Sequence, residues 1–266
     1  MALTNTELKS LKALRSRRGP LAERRFLAEG VRVLEDAFRF RVRPAAVYVA
    51  ATRLSDRGQT LVGQLEQSGA TVREIPARQL DAIADTETSQ GIVAVFERPG
   101  VTLKQPGRVL PRTLLVCDGI SDPGNMGTLF RSALAFGFGC VVVCGDGADP
   151  FAPKVVRGSA GAIFGLAVIS AEAKAVTAWL SANGYVLIAA DQKGAGFARA
   201  LSDLKGKDRL ALAVGSEGQG LSATLVKACH SRVRVEHEPV VESLNAAVAG
   251  SILMKGLYDL CHSPNS

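Results

Sequence analysis

Three short polar segments interrupt apolar surroundings far apart in the chain: Asn125-x-Gly127-x-x-x-Arg131, Gly215-Ser216-Glu217-Gly218 and Glu242-Ser243-Leu244-Asn245. Arg131 is a permanent cation, suited to stabilising negative charge that develops on an oxygen. Glu217 is a carboxylate beside an apolar strand, where it needs a partner, and Arg131 is one candidate. Gly215–Gly220 follows neither GxGxxG nor Walker A spacing, so it has no phosphate-cradle pattern. A glycine loop at a strand end can instead wrap an adenine ring and offer it backbone hydrogen bonds. Plainer readings exist for each segment. Asn125 could cap a helix, Gly127 could allow packing, Arg131 could sit in a surface ion pair, and Glu217 could be solvated in a turn. Capping by Glu242 or Ser243 would satisfy a helix start, but an Asn one turn inside an apolar helix calls for a specific partner, so Asn245 is expected to have one.

The elements that must position these groups are legible from periodicity. A basic amphipathic helix is expected over residues 3–18, stopped at Gly19-Pro20. A strand at 26–28, a helix at 31–39 and strands at 46–50, 71–75 and 92–96 follow, with helices near 61–67 and 80–84. This alternation predicts a small α/β domain over residues 1–98. Residues 99–112, with two Pro-Gly steps and no periodicity, read as a linker. In residues 113–266 apolar strands are expected at 114–117, 141–144, 166–169, 186–190, 210–214 and 233–235. Helices are expected at 126–136, 173–183, 223–229 and 242–260. Continuous apolar strands between helices predict a mostly parallel sheet covered on both faces. In such sheets ligands bind beyond the carboxyl ends of strands, and all three polar segments fall there.

With 266 residues, 47% of them apolar, the chain can build two packed cores. No run approaches the roughly 18–20 apolar residues that cross a bilayer, so no membrane partner is expected. The N-terminus lacks a signal-peptide core, which points to the cytoplasm; residues 9–18 taken as part of a transit peptide are the minor alternative. Five cysteines without a CxxC pattern fit reduced, buried thiols, and Cys229, His230 and His237 lack zinc-ligand spacing, so no metal is expected. Net charge is +7, and residues 1–43 hold eleven Lys/Arg against five Asp/Glu, leaving the other 223 residues at +1. A basic end ahead of a neutral body suggests a nucleic-acid-binding module joined to something else.

Together the three segments resemble the motifs of the SpoU/TrmH family of RNA ribose 2′-O-methyltransferases, in the SPOUT superfamily. Asn125, Gly127 and Arg131 match the first motif, Gly215, Glu217 and Gly218 the second, and Ser243, Leu244 and Asn245 the third. Phe26-Leu-Ala-Glu29-Gly30 and Asp85-Thr-Glu-Thr-Ser-Gln-Gly91-Ile-Val-Ala resemble the substrate-binding domain of the longer members, itself similar to RNA-binding ribosomal proteins. The resemblance implies a C-terminal α/β domain with a deep trefoil knot and a bent S-adenosylmethionine (AdoMet) held by Gly215, Val235, Leu244 and Ala190. It further implies a homodimer with the site at the interface and RNA as substrate, ribosomal RNA ahead of tRNA because of the extra N-terminal domain. One departure stands out: the family's Ile-Pro-Met is Val235-Glu236-His237 here.

By the same resemblance Arg131 acts on the ribose hydroxyl, as a base or by stabilising the alkoxide. Glu217 and Asn125 orient it, and Ser243 and Asn245 hold the ribose or its phosphate. The competing reading is a non-catalytic RNA-binding assembly factor on the same fold. A dinucleotide enzyme is disfavoured because the glycine spacing is wrong and no acidic ribose partner is placed for it.

Overall fold

The computed structural model describes residues 2–105 and 110–262; residues 106–109 of the expected linker lie outside them. Two compact units are present, one of residues 1–99 with 149–164, the other of residues 100–148 with 165–266. The chain begins with α1 (Asn5–Arg15), α2 (Leu21–Arg24), β1 (Arg25–Glu29), α3 (Val31–Arg39) and β2 (Ala46–Val49). It continues through α4 (Asp56–Gln67), β3 (Val72–Glu74), α5 (Ala77–Ile83) and β4 (Ile92–Glu97). Then come β5 (Thr113–Asp118), α6 (Pro123–Ala135), β6 (Cys140–Cys144), α7 (Pro153–Gly158), β7 (Ala167–Ser170) and α8 (Ala173–Ala182). The last elements are β8 (Val186–Gly196), α9 (Phe197–Leu204), β9 (Leu210–Gly215), α10 (Ala223–Ala228), β10 (Ser231–Arg234) and α11 (Ala246–His262).

In the first unit a four-stranded sheet runs β1-β4-β2-β3, antiparallel except for the β2–β3 pair. A capping box starts α1: the Thr4 hydroxyl accepts from the Glu7 amide, and the Glu7 carboxylate accepts from the Thr4 amide at 2.8 Å. Glu7 also pairs with Arg73, and those bonds hold its carboxyl down at about 2. One face of the sheet buries Leu11, Leu14, Leu27, Leu80, Ile83 and Val95. On Phe26 and Phe96 pack Phe151 and Phe164, with ring centroids 5.0 Å (Phe26–Phe151) and 4.7 Å (Phe96–Phe164) apart. Arg17 and Arg98 both reach the Asp149 carboxylate at 2.6 Å. Residues 149–164 thus complete this unit's core although they lie far along the chain. A deletion of residues 1–99 would strip the cover from Phe151 and Phe164, so it would test stability before it tested binding.

In the second unit six parallel strands run β10-β8-β9-β5-β6-β7. The strands β5, β6 and β9 are buried throughout, as a parallel sheet covered by helices requires. The thiols of Cys140 and Cys144 are pushed up to about 12 by burial, and that of Cys117 is pushed up as well, so all three stay neutral. From β5 the chain adds β6 and β7 on one side, then returns past β5 to lay down β8, with β9 filling the slot between. The strand order reverses beside β5, the place where open α/β sheets bind ligands. Local expectations are corrected: β8 extends to Gly196, α11 begins at Ala246 rather than Glu242, and helices α2, α7 and α9 stand where the periodicity predicts none.

Candidate functional site

The loops leaving β5, β9 and β10 and the irregular middle of β8 converge at one edge of the second unit's sheet. At the start of α6 the Asp122 carboxylate accepts from the Asn125 amide at 2.7 Å. Asp122 is therefore the cap, and the Asn125 side chain is left for another task. Its Nδ2 donates to Glu217 Oε1 at 3.0 Å. Asn245 Nδ2 donates to Asn125 Oδ1 at 2.9 Å and to the same Glu217 oxygen. At its other end Asn245 Oδ1 accepts from the amides of Ala247 (3.0 Å) and Val248 (3.1 Å), capping α11. An Asn is needed because the position must donate and accept at once; an Asp would set a second carboxylate against Glu217. Asn245 thus has the specific partners that its place in the sequence called for, one residue before the helix rather than inside it.

Arg131 stands four residues beyond Gly127 on α6. Its side chain is exposed and, among the described residues, makes no hydrogen bond or ion pair. Glu217 is bonded to the two amides and not to Arg131, so the expected orientation of the guanidinium by Glu217 and Asn125 does not occur within this one chain.

Beside the amide–carboxylate cluster opens a cavity of about 1250 Å³. Ala190, Gly215, Val235 and Leu244 all line it, together with Glu217, Ser243 and Asn245, whereas Asn125 and Arg131 do not. Val214, Val226, Ala249 and Leu253 contribute apolar wall; Asp191, Glu236 and Glu242 contribute carboxylates. Such a mixture of apolar surface and a few polar groups is the usual make-up of a small-molecule site. Two backbone features shape it. The β8–β10 ladder jumps from the Arg232–Ala189 pair to the Val233–Ala195 pair, so residues 190–194 swing out of register, and 190–193 enter the cavity wall. Gly215 lies so close to the returning loop that a Cβ there would overlap the carbonyl group of Gly220. The turn is closed by reciprocal bonds between the Ser216 and Gly220 backbones, at 3.2 and 2.9 Å.

Sequence reasoning missed Asp118, the last residue of β5. It is 4% exposed, and its Oδ2 accepts from the Ser222 amide at 2.6 Å while Oδ1 accepts from the Cys144 thiol at 3.6 Å. This carboxylate pins the far end of the 216–221 loop to the central strand. The signal was available in Leu-Leu-Val-Cys-Asp118, an acid closing a wholly apolar run. Asp118→Ala leaves the half-buried Ser222 amide unpaired and should cost about 1 kcal/mol or more in denaturant unfolding. Asp118→Asn, which retains an acceptor, should recover much of that loss; equal losses in the two variants would refute the pinning role.

The SpoU rRNA Methylase family model matches residues 112–255, and the MRM3-like substrate binding domain model matches residues 5–94. The chain is 31% identical to the 23S rRNA (guanosine(2553)-2′-O)-methyltransferase RlmP of Bacillus subtilis, over 94% of this chain and 95% of that one. It is 30% identical to the 23S rRNA (guanosine-2′-O-)-methyltransferase RlmB of Bordetella pertussis, over 78% of this chain and 86% of the relative. Among solved structures it is similar to the SpoU methyltransferase AviRb of Streptomyces viridochromogenes in complex with AdoMet. The TM-score is 0.84 at 25% identity, covering 98% of this chain and 99% of the other.

Proposed function

Because this chain belongs to the SpoU rRNA methylase family, we propose that it transfers a methyl group from AdoMet to a ribose 2′-hydroxyl of ribosomal RNA. The observation that carries the reading is the convergence of Ala190, Gly215, Val235 and Leu244 on one cavity. The cavity fits AdoMet: Gly215 lets the returning loop close against the strand end as one wall, Val235 and Leu244 offer apolar contact, and Glu236 and Glu242 beside Lys193 and Arg234 suit a ligand that carries cationic groups and a carboxylate. When bound, AdoMet supplies a methyl group already activated by its sulfonium charge.

The remaining work falls to this chain's side chains. The ribose hydroxyl is a poor nucleophile at neutral pH and must be placed in line with its proton removed or its oxygen stabilised. Arg131 stabilises the negative charge that develops on this oxygen as its proton passes to solvent, since a guanidinium keeps its own protons and is a poor base. Ser243 holds the ribose or its phosphate; the Asn245 side chain, whose amide is taken up by Asn125, Glu217 and the first amides of α11, instead fixes the loop that carries Ser243. Arg131, exposed and unpaired in one chain, serves the cavity of a second copy in a homodimer, and the C-terminal chain closes a trefoil knot around the cofactor. The protein acts in the cytoplasm, where its substrate is.

The test is methyl transfer from labelled AdoMet to ribosomal RNA from cells that lack the gene, followed by mapping of 2′-O-methyl positions. One newly labelled ribose is expected. Intact AdoMet and RNA binding with no incorporation would favour the non-catalytic assembly factor instead. RNA affinity should also fall steeply with salt, because the basic surplus lies in residues 1–43. A loss of about tenfold or more is expected between about 50 and 200 mM salt if three or more phosphates are neutralised. A flat dependence would contradict RNA binding by this domain.

A further inference from the structure

The C-terminal end of α3 carries the run Phe38-Arg39-Phe40-Arg41-Val42-Arg43. Phe38 and Phe40 are 39% and 38% exposed, the only aromatic members of the exposed large hydrophobic residues described. Three arginines alternate with these residues. Arg39 pairs with Asp36 at 3.0 Å, while the side chains of Arg41 and Arg43 make no hydrogen bond or ion pair among the described residues.

Arg41 is also held in an unfavourable backbone state. The helix ends with the Val42 amide donating to the Ala37 carbonyl (2.9 Å) and the Arg41 amide to the Phe38 carbonyl (3.0 Å). That geometry requires a left-handed residue, and Arg41 supplies it at φ +57°, where glycine would be unstrained. Arg17 ends α1 in the same way at φ +57°, but its guanidinium is engaged by Asp149 and by the carbonyls of Arg25 and Ala22. Those bonds account for arginine at position 17. Nothing within the described protein does so at position 41, and strain without an internal return collects at functional surfaces.

Exposed aromatic rings interleaved with free arginines match the chemistry of single-stranded nucleic acid, whose bases stack on rings and whose phosphates seek guanidinium groups. We propose that residues 38–43 form a stacking platform for single-stranded RNA, with Phe38 and Phe40 receiving bases and Arg41 and Arg43 receiving phosphates. The inference rests on the RNA-methylating reading above and names a surface by which the first unit grips its substrate.

The experiment measures binding of the full chain to a labelled random-sequence single-stranded RNA and to the matching duplex, by fluorescence anisotropy across a salt series. The double variant Phe38→Ala/Phe40→Ala should weaken single-strand binding about tenfold or more and duplex binding far less. Arg41→Gly should leave the thermal midpoint unchanged or higher while weakening single-strand binding and lowering the salt slope by about 0.7, one phosphate's share. Single-strand affinity within twofold of wild type in both variants overturns the proposal. So does an equal loss on duplex and single strand, or a change in self-association with RNA binding intact, which would make the patch a protein interface. Methyl transfer by the wild type to ribosomal RNA keeps the functional reading separate. If that transfer and all RNA binding are absent, the functional reading itself has failed; if only the variants disappoint, the platform alone has.

Discussion

Arg131→Ala should lower the rate of methyl transfer by about 10²–10³-fold, the usual cost of removing one oriented charge from a developing oxyanion, while AdoMet affinity stays within about twofold. The separation follows from position. Arg131 does not line the cavity and, among the described residues, makes no bond that its loss could break. Arg131→Lys should retain only part of the activity, because an ammonium keeps the charge but loses the planar fork. Mixing Arg131→Ala with a cavity-dead variant, Gly215→Val, asks which subunit Arg131 serves. If it acts on the partner's cavity, each mixed dimer holds one intact site, and random exchange should restore about a quarter of wild-type activity. If it acts in its own subunit, both sites of the mixed dimer are dead and activity stays near zero. Wild-type turnover in Arg131→Ala alone would remove this residue from the chemistry altogether.

The parts of the site readable in advance were those with local signatures. Gly215, Leu244 and Asn245 sit at junctions where an apolar run meets polar residues, and such junctions are visible in one dimension. The contents of the Glu217 pairing were not. A carboxylate in a loop announces that it needs a partner but does not say whether that partner is a guanidinium or two amides, and the two amides come from positions 92 and 28 residues away. The start of α11 differs from the sequence expectation for a related reason. Glu242 and Ser243 look like first-turn residues, yet the cap is Asn245, whose side chain must also reach Glu217, so the helix begins after it. Residues 149–164 gave no warning that they join the first unit, because their aromatic anchors, Phe151 and Phe164, find Phe26 and Phe96 only in three dimensions. The alternation of strands and helices, in contrast, was legible nearly everywhere, since burial on both faces leaves an apolar run that needs no partner to be recognised.

Gly215→Ala should reduce AdoMet affinity by about a hundredfold or more, although it adds a single methyl group. The added carbon would overlap backbone atoms of Gly220 and would stand 2.5 Å from the Leu221 amide nitrogen. A flexible side chain could turn away; a backbone closed by the Ser216–Gly220 bonds and pinned through Ser222 to Asp118 cannot move without opening the loop. That loop forms one wall of the cavity, so displacing it spoils the fit that a bound adenine ring requires. Overpacking of this kind also costs about 1–3 kcal/mol of stability, which thermal unfolding would register. Gly218, three residues on, is the internal control. A Cβ there meets no protein atom within 4 Å, so Gly218→Ala should unfold like the wild type, and because Gly218 lines the cavity without shaping the turn, any loss of AdoMet affinity should stay far below that at 215. Calorimetric titration of the two variants decides the matter. Equal, near-native affinities would mean that the 215–220 turn does not shape the cofactor site. A loss at 215 far above any at 218 would tie the binding to the close backbone approach itself and not to glycine content in the loop.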